Sequence, residues 1–370
     1  MFYVCIDPNK YIKEVSDLIR MFSPGIQLKE VYTDVNLKND DLYIFGGYKC
    51  IENGQIRVSA YLKNADRVIT VKYDDIGPEG YSSNKNRGLK NAIKRCVYLI
   101  LKDVFQRELD WGILTGIRPT KIVHDMLDLG MDDNIIIKKL YKEYFVSENK
   151  AGLLLDTANA QKDILIKNND QKISFYINIP FCTTKCLYCS FPSDTIEACK
   201  DMIDDYINSL IYEIDTFFRE IREKKITVQS IYIGGGTPTS LPITKLDRLL
   251  NAVDSILKYN NVEEYTVEGG RPDSMDMDKL SLLRSHGATR ISINPQSMNE
   301  KTLLKVGRNH TPEDVVNCFN MAKKLEFNSI NMDVIIGLPE ENINDVENTI
   351  RSVCELEPDN ITIHTLAVKR

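Results

Sequence analysis

From residue 173 onward, short apolar segments alternate with longer segments of helical periodicity, and this alternation strongly constrains the fold. The strand candidates are residues 173–179, 228–233, 263–268, 288–293, 329–336 and 361–366. The helical patterns between them lie near residues 196–224, 243–258, 276–286, 312–326 and 343–356. Strands separated by helices favour a parallel sheet, because the helix carries the chain back to the start of the next strand. The sequence therefore predicts an α/β domain with six parallel strands.

The first 168 residues show a different pattern, in which strand-like runs precede helices. Strands are predicted at residues 3–7, 42–48, 56–62 and 67–73, and the middle pair reads as a hairpin around Glu52-Asn53-Gly54. Helices are predicted at about 85–109, from Pro119 to Leu129, and near 132–145 and 147–167. The polar segment 168–171 marks a boundary. We therefore expect a smaller α+β domain over residues 1–168, ending in helices, and a second domain over residues 169–370.

Composition excludes several classes of protein. The chain has 370 residues with 43% hydrophobic content, which suffices for two cores. Its net charge of −6 is spread over interspersed signs, so neither nucleic acid nor an anionic membrane is expected as a partner. No run of about 18 apolar residues predicts a membrane span. Nine cysteines, six of them scattered, do not form a disulfide pattern, so we expect a reduced, cytoplasmic protein.

Three cysteines are clustered directly after the first strand of the second domain. Cys182, Cys186 and Cys189 have C-x3-C-x2-C spacing, and thiolates suit Fe–S clusters, zinc and Cu(I). A [4Fe–4S] cluster needs four ligands, and no fourth cysteine follows at a useful spacing, so one iron would stay open to a substrate. A zinc site with a water or a distant histidine, or three buried thiols, are the alternatives. Structural zinc sites usually come as paired C-x2-C hooks, and no second hook is present.

Further polar residues follow the other strands of the second domain. They are Gly234, Gly235, Gly236 and Thr237 after the second strand, Glu268 and Gln296 after the third and fourth, Arg308 beyond them, and Asp333 on the fifth. In α/β barrels, the chemistry takes place at the C-terminal ends of the strands. Each charged residue alone could be an ordinary surface or salt-bridge residue. Their recurrence at successive strand ends favours a common site.

Four motifs together resemble the oxygen-independent coproporphyrinogen III oxidase family of radical S-adenosylmethionine (SAM) enzymes. They are Tyr176-x-Asn-Ile-Pro-Phe-Cys, Cys186-Leu-Tyr-Cys-Ser-Phe, Gly234-Gly-Gly-Thr-Pro-Thr and Asp333-Val-Ile-Ile-Gly-Leu-Pro. The upstream segment Leu114-Thr-Gly-Ile-Arg-Pro-Thr-Lys is most similar to the HemZ-type branch of that family. The resemblance implies a partial (β/α)6 radical SAM barrel with a [4Fe–4S] cluster on the three cysteines and with SAM as cofactor.

The resemblance also implies roles for individual residues. By this likeness, Tyr176, Glu268, Gln296, Arg308 and Asp333 surround SAM, and Tyr176 is carried over as a catalytic residue as well. The Gly234–Thr237 motif would hold the SAM amino group. The Glu268 carboxylate would bind the ribose hydroxyls, and the Arg308 guanidinium would pair with the SAM carboxylate.

The resemblance implies a reaction, with a flavodoxin- or ferredoxin-type protein as the electron donor. One electron would reach the cluster, SAM would break into methionine and a 5′-deoxyadenosyl radical, and the radical would abstract hydrogen from a propionate of coproporphyrinogen III. Decarboxylation would then give vinyl groups, as in haem biosynthesis. The alternatives are a haem-binding carrier of the same fold, or another radical reaction on a tetrapyrrole such as methyl transfer or ring opening.

Two positions depart from the family pattern, and one region is expected to be missing. Asn178 stands where the oxidases have a histidine, which puts a second SAM site or the porphyrinogen chemistry in doubt. Phe191 replaces a cysteine that is not a cluster ligand. The family resemblance also implies a C-terminal region that helps to enclose the tetrapyrrole. Only Lys369 and Arg370 follow the last strand, Ile361 to Val368, so we expect these 370 residues to lack that region.

Overall fold

The computed structural model divides the chain into two compact units, Met1–Lys167 and Asn168–Arg370. It describes residues 1–33, 35–38, 40–50, 56–76, 85–116, 118–166 and 171–366. Each unit has a hydrophobic core of its own. Residues 168–170 of the expected boundary lie outside the described residues, as does the turn expected at residues 52–54.

The N-terminal unit contains a mixed five-stranded sheet. Its strands are β1 (Phe2–Ile6), β2 (Leu28–Glu30), β3 (Leu42–Cys50), β4 (Ile56–Lys63) and β5 (Val68–Ile76). The order in the sheet is β2-β1-β3-β4-β5, with β1 parallel to β2 and β3 and with antiparallel pairing from β3 to β5. The antiparallel pairing of β3 with β4 confirms the predicted hairpin strands.

Five helices accompany this sheet in the described part of the unit. They are α1 (Ile12–Phe22), α2 (Lys85–Phe105), α3 (Thr120–Asp128), α4 (Asp133–Tyr144) and α5 (Glu148–Ile166). The last four were predicted, whereas α1 was not. Its buried residues include Val15, Leu18, Ile19 and Phe22, which share one helical face and join the core with the sheet. The first unit is therefore the predicted α+β domain with one additional helix.

The second unit contains a six-stranded, fully parallel sheet. Its strands are β6 (Lys172–Ile179), β9 (Thr227–Gly235), β10 (Glu264–Gly270), β11 (Arg290–Gln296), β12 (Ser329–Ile336) and β13 (Asn360–Thr365). They lie side by side in chain order, β6-β9-β10-β11-β12-β13. A short parallel pair, β7 (Phe181–Cys182) and β8 (Asp194–Thr195), follows β6. All six predicted strands are present, and the architecture is the partial (β/α)6 barrel.

Helices connect these strands. They are α6 (Ile203–Glu223), α7 (Ile243–Leu257), α8 (Met277–Ser285), α9 (Glu300–Lys305), α10 (Pro312–Lys324) and α11 (Ile343–Glu355). Only the short α9 was not predicted. Capping boxes fix the starts of α10, at Thr311 and Asp314, and of α11, at Asn342 and Asp345. Among the helices that the structure describes, none combines the length and the apolar composition that a bilayer crossing requires.

The two faces of the parallel sheet differ in polarity. Successive side chains of a strand point to opposite faces. Residues such as Ile231, Val267 and Met332 are buried in the core with the helices. The alternate positions carry polar side chains such as Glu268 and Asp333, and these line a cavity. The polar face of the sheet therefore positions the candidate site.

Candidate functional site

A cavity of about 600 Å³ opens at the polar face of the six-stranded sheet. Ten of the twelve predicted site residues line it: Cys182, Cys186, Cys189, Gly235, Gly236, Thr237, Glu268, Gln296, Arg308 and Asp333. Tyr176 and Gly234 are not among the lining residues. The strand ends thus bring most of the predicted residues to one place.

The cysteine loop forms one wall of this cavity. Its main chain is fixed at both ends: the Cys182 carbonyl accepts a hydrogen bond from Ile196 N at 2.8 Å, and Leu187 N donates to the Val306 carbonyl at 3.0 Å. The Thr184 hydroxyl donates to the Gly307 carbonyl at 3.0 Å. The loop is therefore held against the segment that leads to Arg308.

Several donors point at the thiols. The Cys186 sulfur lies 3.6 Å from Arg271 Nη1 and 3.8 Å from Arg308 Nη1. The Thr237 hydroxyl lies 3.6 Å from the Cys182 sulfur. Burial raises the pKa of the Cys189 thiol. Two guanidinium groups beside Cys186 are a suitable environment for a negatively charged sulfur ligand.

The three thiols line the wall as separate groups. No three His, Cys, Asp or Glu side chains in the described ranges converge on a point where they could hold one metal ion. In a [4Fe–4S] cluster, each thiolate binds a different iron, so the three sulfurs need not meet at one point.

The glycine motif permits two close approaches. A Cβ on Gly236 would lie 2.9 Å from the Cys182 sulfur and 2.6 Å from the Phe181 carbonyl oxygen. A Cβ on Gly234 would lie 3.0 Å from Glu268 Oε2. Gly234 thus lies outside the cavity lining, but its missing side chain leaves room for the Glu268 carboxylate. The motif brings the ends of β6, β9 and β10 together.

Glu268 is held by a tyrosine that sequence reasoning missed. The Tyr232 hydroxyl donates to Glu268 Oε1 at 2.5 Å. Burial raises the pKa of Glu268 and nearby Asp333 adds to this, while the hydrogen bonds from Tyr232 and Gly235 N oppose it. Tyr176 stacks on Tyr232 with ring centroids 5.6 Å apart and is 61% exposed. Tyr176 therefore packs on the ring of Tyr232, and it is not among the residues that line the cavity.

Gln296 is placed by an irregularity at the end of β11. The pairing register shifts between Ile293 and Gln296, and Gln296 has a left-handed φ of 66°. Its Oε1 is buried and has no hydrogen-bond partner among the described residues. His310 Nε2 donates to the Pro295 carbonyl at 3.3 Å and so fixes this turn. Burial and the neighbouring Arg308 lower the pKa of His310 to about 4, so the imidazole is neutral.

Arg308 is buried, with only 3% of its surface exposed. Its Nη2 donates to the Asn294 carbonyl at 2.6 Å, and its Nη1 donates to the Tyr188 hydroxyl at 3.1 Å. Its Nε has no partner in the part of the chain that the structure describes. Arg308 thus both supports the site and retains a free donor.

A polar ladder of five side chains crosses β11, β12 and β13 on the cavity side; its members are Ser292, Asn294, Asn331, Asp333 and Thr362. The Thr362 hydroxyl donates to Asn331 Oδ1 at 2.9 Å, and Asn331 Nδ2 donates to Ser292 at 2.9 Å and to Asp333 Oδ1 at 2.6 Å. Ser292 donates to Asn294 Oδ1 at 2.8 Å. The ladder fixes the floor of the cavity, including Asp333.

Sequence reasoning also missed Arg271, which lines the cavity and is 3% exposed. It lies in the segment Val267-Glu-Gly-Gly-Arg-Pro-Asp273, of which only Glu268 was singled out. An arginine three residues after a strand-end carboxylate was the available signal. Tyr232 gave no comparable signal, because aromatic residues are common in strands.

Known proteins resemble this chain over the same region. Residues 176–353 match the family model described as the Radical SAM superfamily. The chain is 38% identical over 263 residues to the oxygen-independent coproporphyrinogen-III oxidase-like protein HemZ of Bacillus subtilis (strain 168). This match covers 70% of this chain and 52% of HemZ. It is 32% identical over 197 residues to the heme chaperone HemW of the same organism, covering 53% of this chain and 51% of HemW.

A third relative carries an oxidase name. The chain is 29% identical over 197 residues to the oxygen-independent coproporphyrinogen III oxidase of Pseudomonas aeruginosa, covering 53% of this chain and 42% of that protein. The chain spans about half the length of the curated relatives it matches.

Proposed function

Because the chain belongs to the radical SAM superfamily, in the group that contains HemZ, HemW and the oxygen-independent coproporphyrinogen III oxidases, we propose that it is a radical SAM enzyme that acts on a tetrapyrrole. The proposed reaction is the oxidative decarboxylation of coproporphyrinogen III propionates to vinyl groups, in which carbon dioxide leaves, the SAM-derived radical takes one hydrogen atom and an external one-electron acceptor takes the remaining electron. The observation that carries the proposal is a cavity whose lining includes three thiols, a carboxylate, an amide and a guanidinium.

The donor set on the loop fits a [4Fe–4S] cluster. Cys182, Cys186 and Cys189 would supply three thiolates, and Thr237 and Arg271 would donate to their sulfurs. The same loop offers no fourth cysteine, which leaves one position for SAM. When bound, the cluster and SAM together supply the one-electron cleavage that yields a hydrogen-abstracting radical.

The remaining walls of the cavity fit SAM. Gln296 Oε1 and Arg308 Nε are buried polar atoms that lack partners in the described residues, and each matches a polar group on an amino acid or a nucleoside. Glu268, held by Tyr232, would accept hydrogen bonds from the ribose hydroxyls. Asp333 is fixed by the polar ladder and would bind the cofactor from the floor. Tyr176, stacked on Tyr232, would also contribute to the SAM site.

We place this chemistry in a reducing compartment such as the cytoplasm, because all nine cysteines are free thiols. An electron donor of the flavodoxin or ferredoxin type would reduce the cluster from outside the cavity.

A haem carrier is the second candidate. It is favoured by the similarity to HemW, whose name describes a heme chaperone. Asn178 is not a lining residue of the cavity; its carbonyl accepts a hydrogen bond from the Tyr206 hydroxyl at 2.8 Å. A carrier would hold haem without converting coproporphyrinogen.

One experiment separates these functions. The protein is reconstituted with iron and sulfide without oxygen, reduced, and incubated with SAM and coproporphyrinogen III, and the SAM fragments and porphyrins are measured together by mass spectrometry. Formation of 5′-deoxyadenosine with loss of carboxylate from the tetrapyrrole supports the oxidase. Stoichiometric haem binding, seen as a Soret shift, without decarboxylation supports the carrier. Absence of both SAM cleavage and tetrapyrrole binding would contradict the proposal.

A further inference from the structure

The segment after β10 contains an ion pair between Arg271, which is buried, and Asp273, which is exposed. Arg271 is 3% exposed, and its guanidinium contacts the carboxylate of Asp273 twice, with Nε to Oδ1 at 3.0 Å and Nη2 to Oδ2 at 3.3 Å. Such a two-point contact fixes the plane of the guanidinium. The remaining nitrogen, Nη1, is thereby aimed at the cysteine loop.

This ion pair contacts the cysteine loop at three points. Arg271 Nη1 donates to the Thr184 carbonyl at 3.0 Å and lies 3.6 Å from the Cys186 sulfur. The Thr183 hydroxyl donates to Asp273 Oδ2 at 3.3 Å. Every nitrogen of the Arg271 guanidinium therefore has an acceptor within the protein. Arg308 differs in this respect, because its Nε has no partner among the described residues.

We propose that the Arg271–Asp273 pair is a positioning device that holds the cysteine loop and sets the reduction potential of the cluster through the Cys186 sulfur. The inference rests on the proposed function, since it requires the cluster on Cys182, Cys186 and Cys189. It assigns to this segment a role that is separate from the binding of SAM.

The sign of the effect follows from charge. Reduction adds one electron to a site that already carries three thiolates, so a nearby positive charge stabilises the reduced form more than the oxidised form. Hydrogen bonds to the sulfurs of a cluster and the net charge around it are known determinants of its potential. Arg271 therefore raises the potential, whereas Asp273 offsets part of that positive charge and lowers the potential.

The two members of the pair thus predict opposite shifts. Arg271→Gln removes the charge and should lower the potential. Asp273→Asn leaves the guanidinium uncompensated and should raise the potential. A tenfold preference of the guanidinium for the reduced over the oxidised cluster corresponds to a shift of about 59 mV in a one-electron couple. A purely mechanical role of the segment would not produce shifts of opposite sign.

The test is a potentiometric titration of the reconstituted 370-residue chain, with the reduced cluster followed by electron paramagnetic resonance. The variants are Arg271→Gln, Arg271→Lys and Asp273→Asn. Arg284→Gln is the matched control, because Arg284 also bonds to main-chain carbonyls, those of Leu325 and Ala288, and to no thiol. We expect a lower potential for Arg271→Gln, a higher one for Asp273→Asn, a value nearer to wild type for Arg271→Lys, and no shift for the control.

The outcomes distinguish this inference from the proposed function. If the wild-type protein binds no cluster, the proposed function fails. If it binds the cluster and cleaves SAM but Arg271→Gln and Asp273→Asn leave the potential unchanged or shift it in the same direction, only this inference is overturned. If Arg271→Gln does not load iron, the comparison of Arg271→Lys with Asp273→Asn decides, and an unchanged potential in Asp273→Asn refutes the proposal.

Discussion

Removal of a single hydroxyl, in Tyr232→Phe, tests how Glu268 is prepared to bind a ligand. The substitution keeps the ring that stacks on Tyr176 and deletes the 2.5 Å hydrogen bond from Tyr232 to Glu268. Glu268 retains its hydrogen bond from Gly235 N and remains close to Asp333. The change therefore isolates the contribution of one donor to one carboxylate.

The expected effect is on the pH dependence of SAM binding. Burial raises the pKa of Glu268, and the Tyr232 hydrogen bond opposes this shift, so its loss raises the pKa further. A hydrogen bond to a charged group is worth about 1.5–3 kcal/mol, or roughly ten- to hundred-fold in an equilibrium constant. Only the ionised carboxylate accepts hydrogen bonds from both ribose hydroxyls. As pH falls, the affinity of Tyr232→Phe for SAM should therefore begin to decline at a higher pH than that of the wild type. In the pH range where only the variant's Glu268 is protonated, the affinity of the variant should be lower than that of the wild type by up to roughly ten- to hundred-fold.

The measurement is calorimetric titration of the reconstituted protein with SAM from mildly alkaline to mildly acidic pH. Tyr206→Phe is the matched control, because the Tyr206 hydroxyl donates to the Asn178 carbonyl. We expect the control to follow the wild-type curve. Superimposable curves for Tyr232→Phe and the wild type would refute the assignment of Glu268 to the ribose, or the role of Tyr232 in holding it.

Three further predictions concern the cluster, the cofactor and the N-terminal unit. Cys186→Ala should abolish the broad visible absorption of a thiolate-ligated cluster, and full iron and sulfide content in this variant would contradict the ligand assignment. Arg308→Ala should weaken SAM binding by about 1.5–3 kcal/mol. It should also lower the melting temperature without SAM, because Arg308 donates to Asn294 and Tyr188, and an unchanged melting temperature would contradict this structural role. Burial lowers the pKa of Lys94 from 10.5 to about 8, which costs the folded state about 3 kcal/mol below pH 8. Between pH 8 and pH 10.5, the unfolded chain holds a proton that the folded chain has released, so wild-type stability rises with pH. Lys94→Met should therefore be the more stable protein in urea unfolding at pH 7, with a gain that shrinks towards pH 10.5, and a pH-independent difference would contradict the cause.

The six parallel strands of the second unit could be predicted because the signal is repeated. Each strand places apolar residues such as Ile231 and Ile291 on the helix-covered face, and a helical pattern follows each of the first five strands. The same argument missed α1. Its residues Ile12, Val15 and Ile19 are β-branched and favour strands locally. The helix forms nevertheless, because it buries these side chains in the core against the sheet.

The residue types of the candidate site could be predicted from the sequence, but the contacts between these residues could not. The strand-end rule brought Glu268, Gln296 and Asp333 to one cavity. It could not show that Tyr176 is exposed behind Tyr232, or that Arg308 bonds to the protein itself. These contacts join residues far apart in the chain and depend on bulges in the strands, which leave no regular pattern in a sequence.

The polar ladder bears on how such a cavity can diversify during evolution. Asn331 bonds to side chains on three neighbouring strand positions, and loss of one member leaves a partner unsatisfied at a cost of about 1–3 kcal/mol. A new ligand preference at the floor therefore requires paired substitutions on adjacent strands. The cysteine loop carries Leu187 and Phe191, which are 80% and 59% exposed and apolar, so each can be exchanged without losing a hydrogen bond. We expect related chains that act on different ligands to differ first on this loop, and to keep the ladder together as a unit.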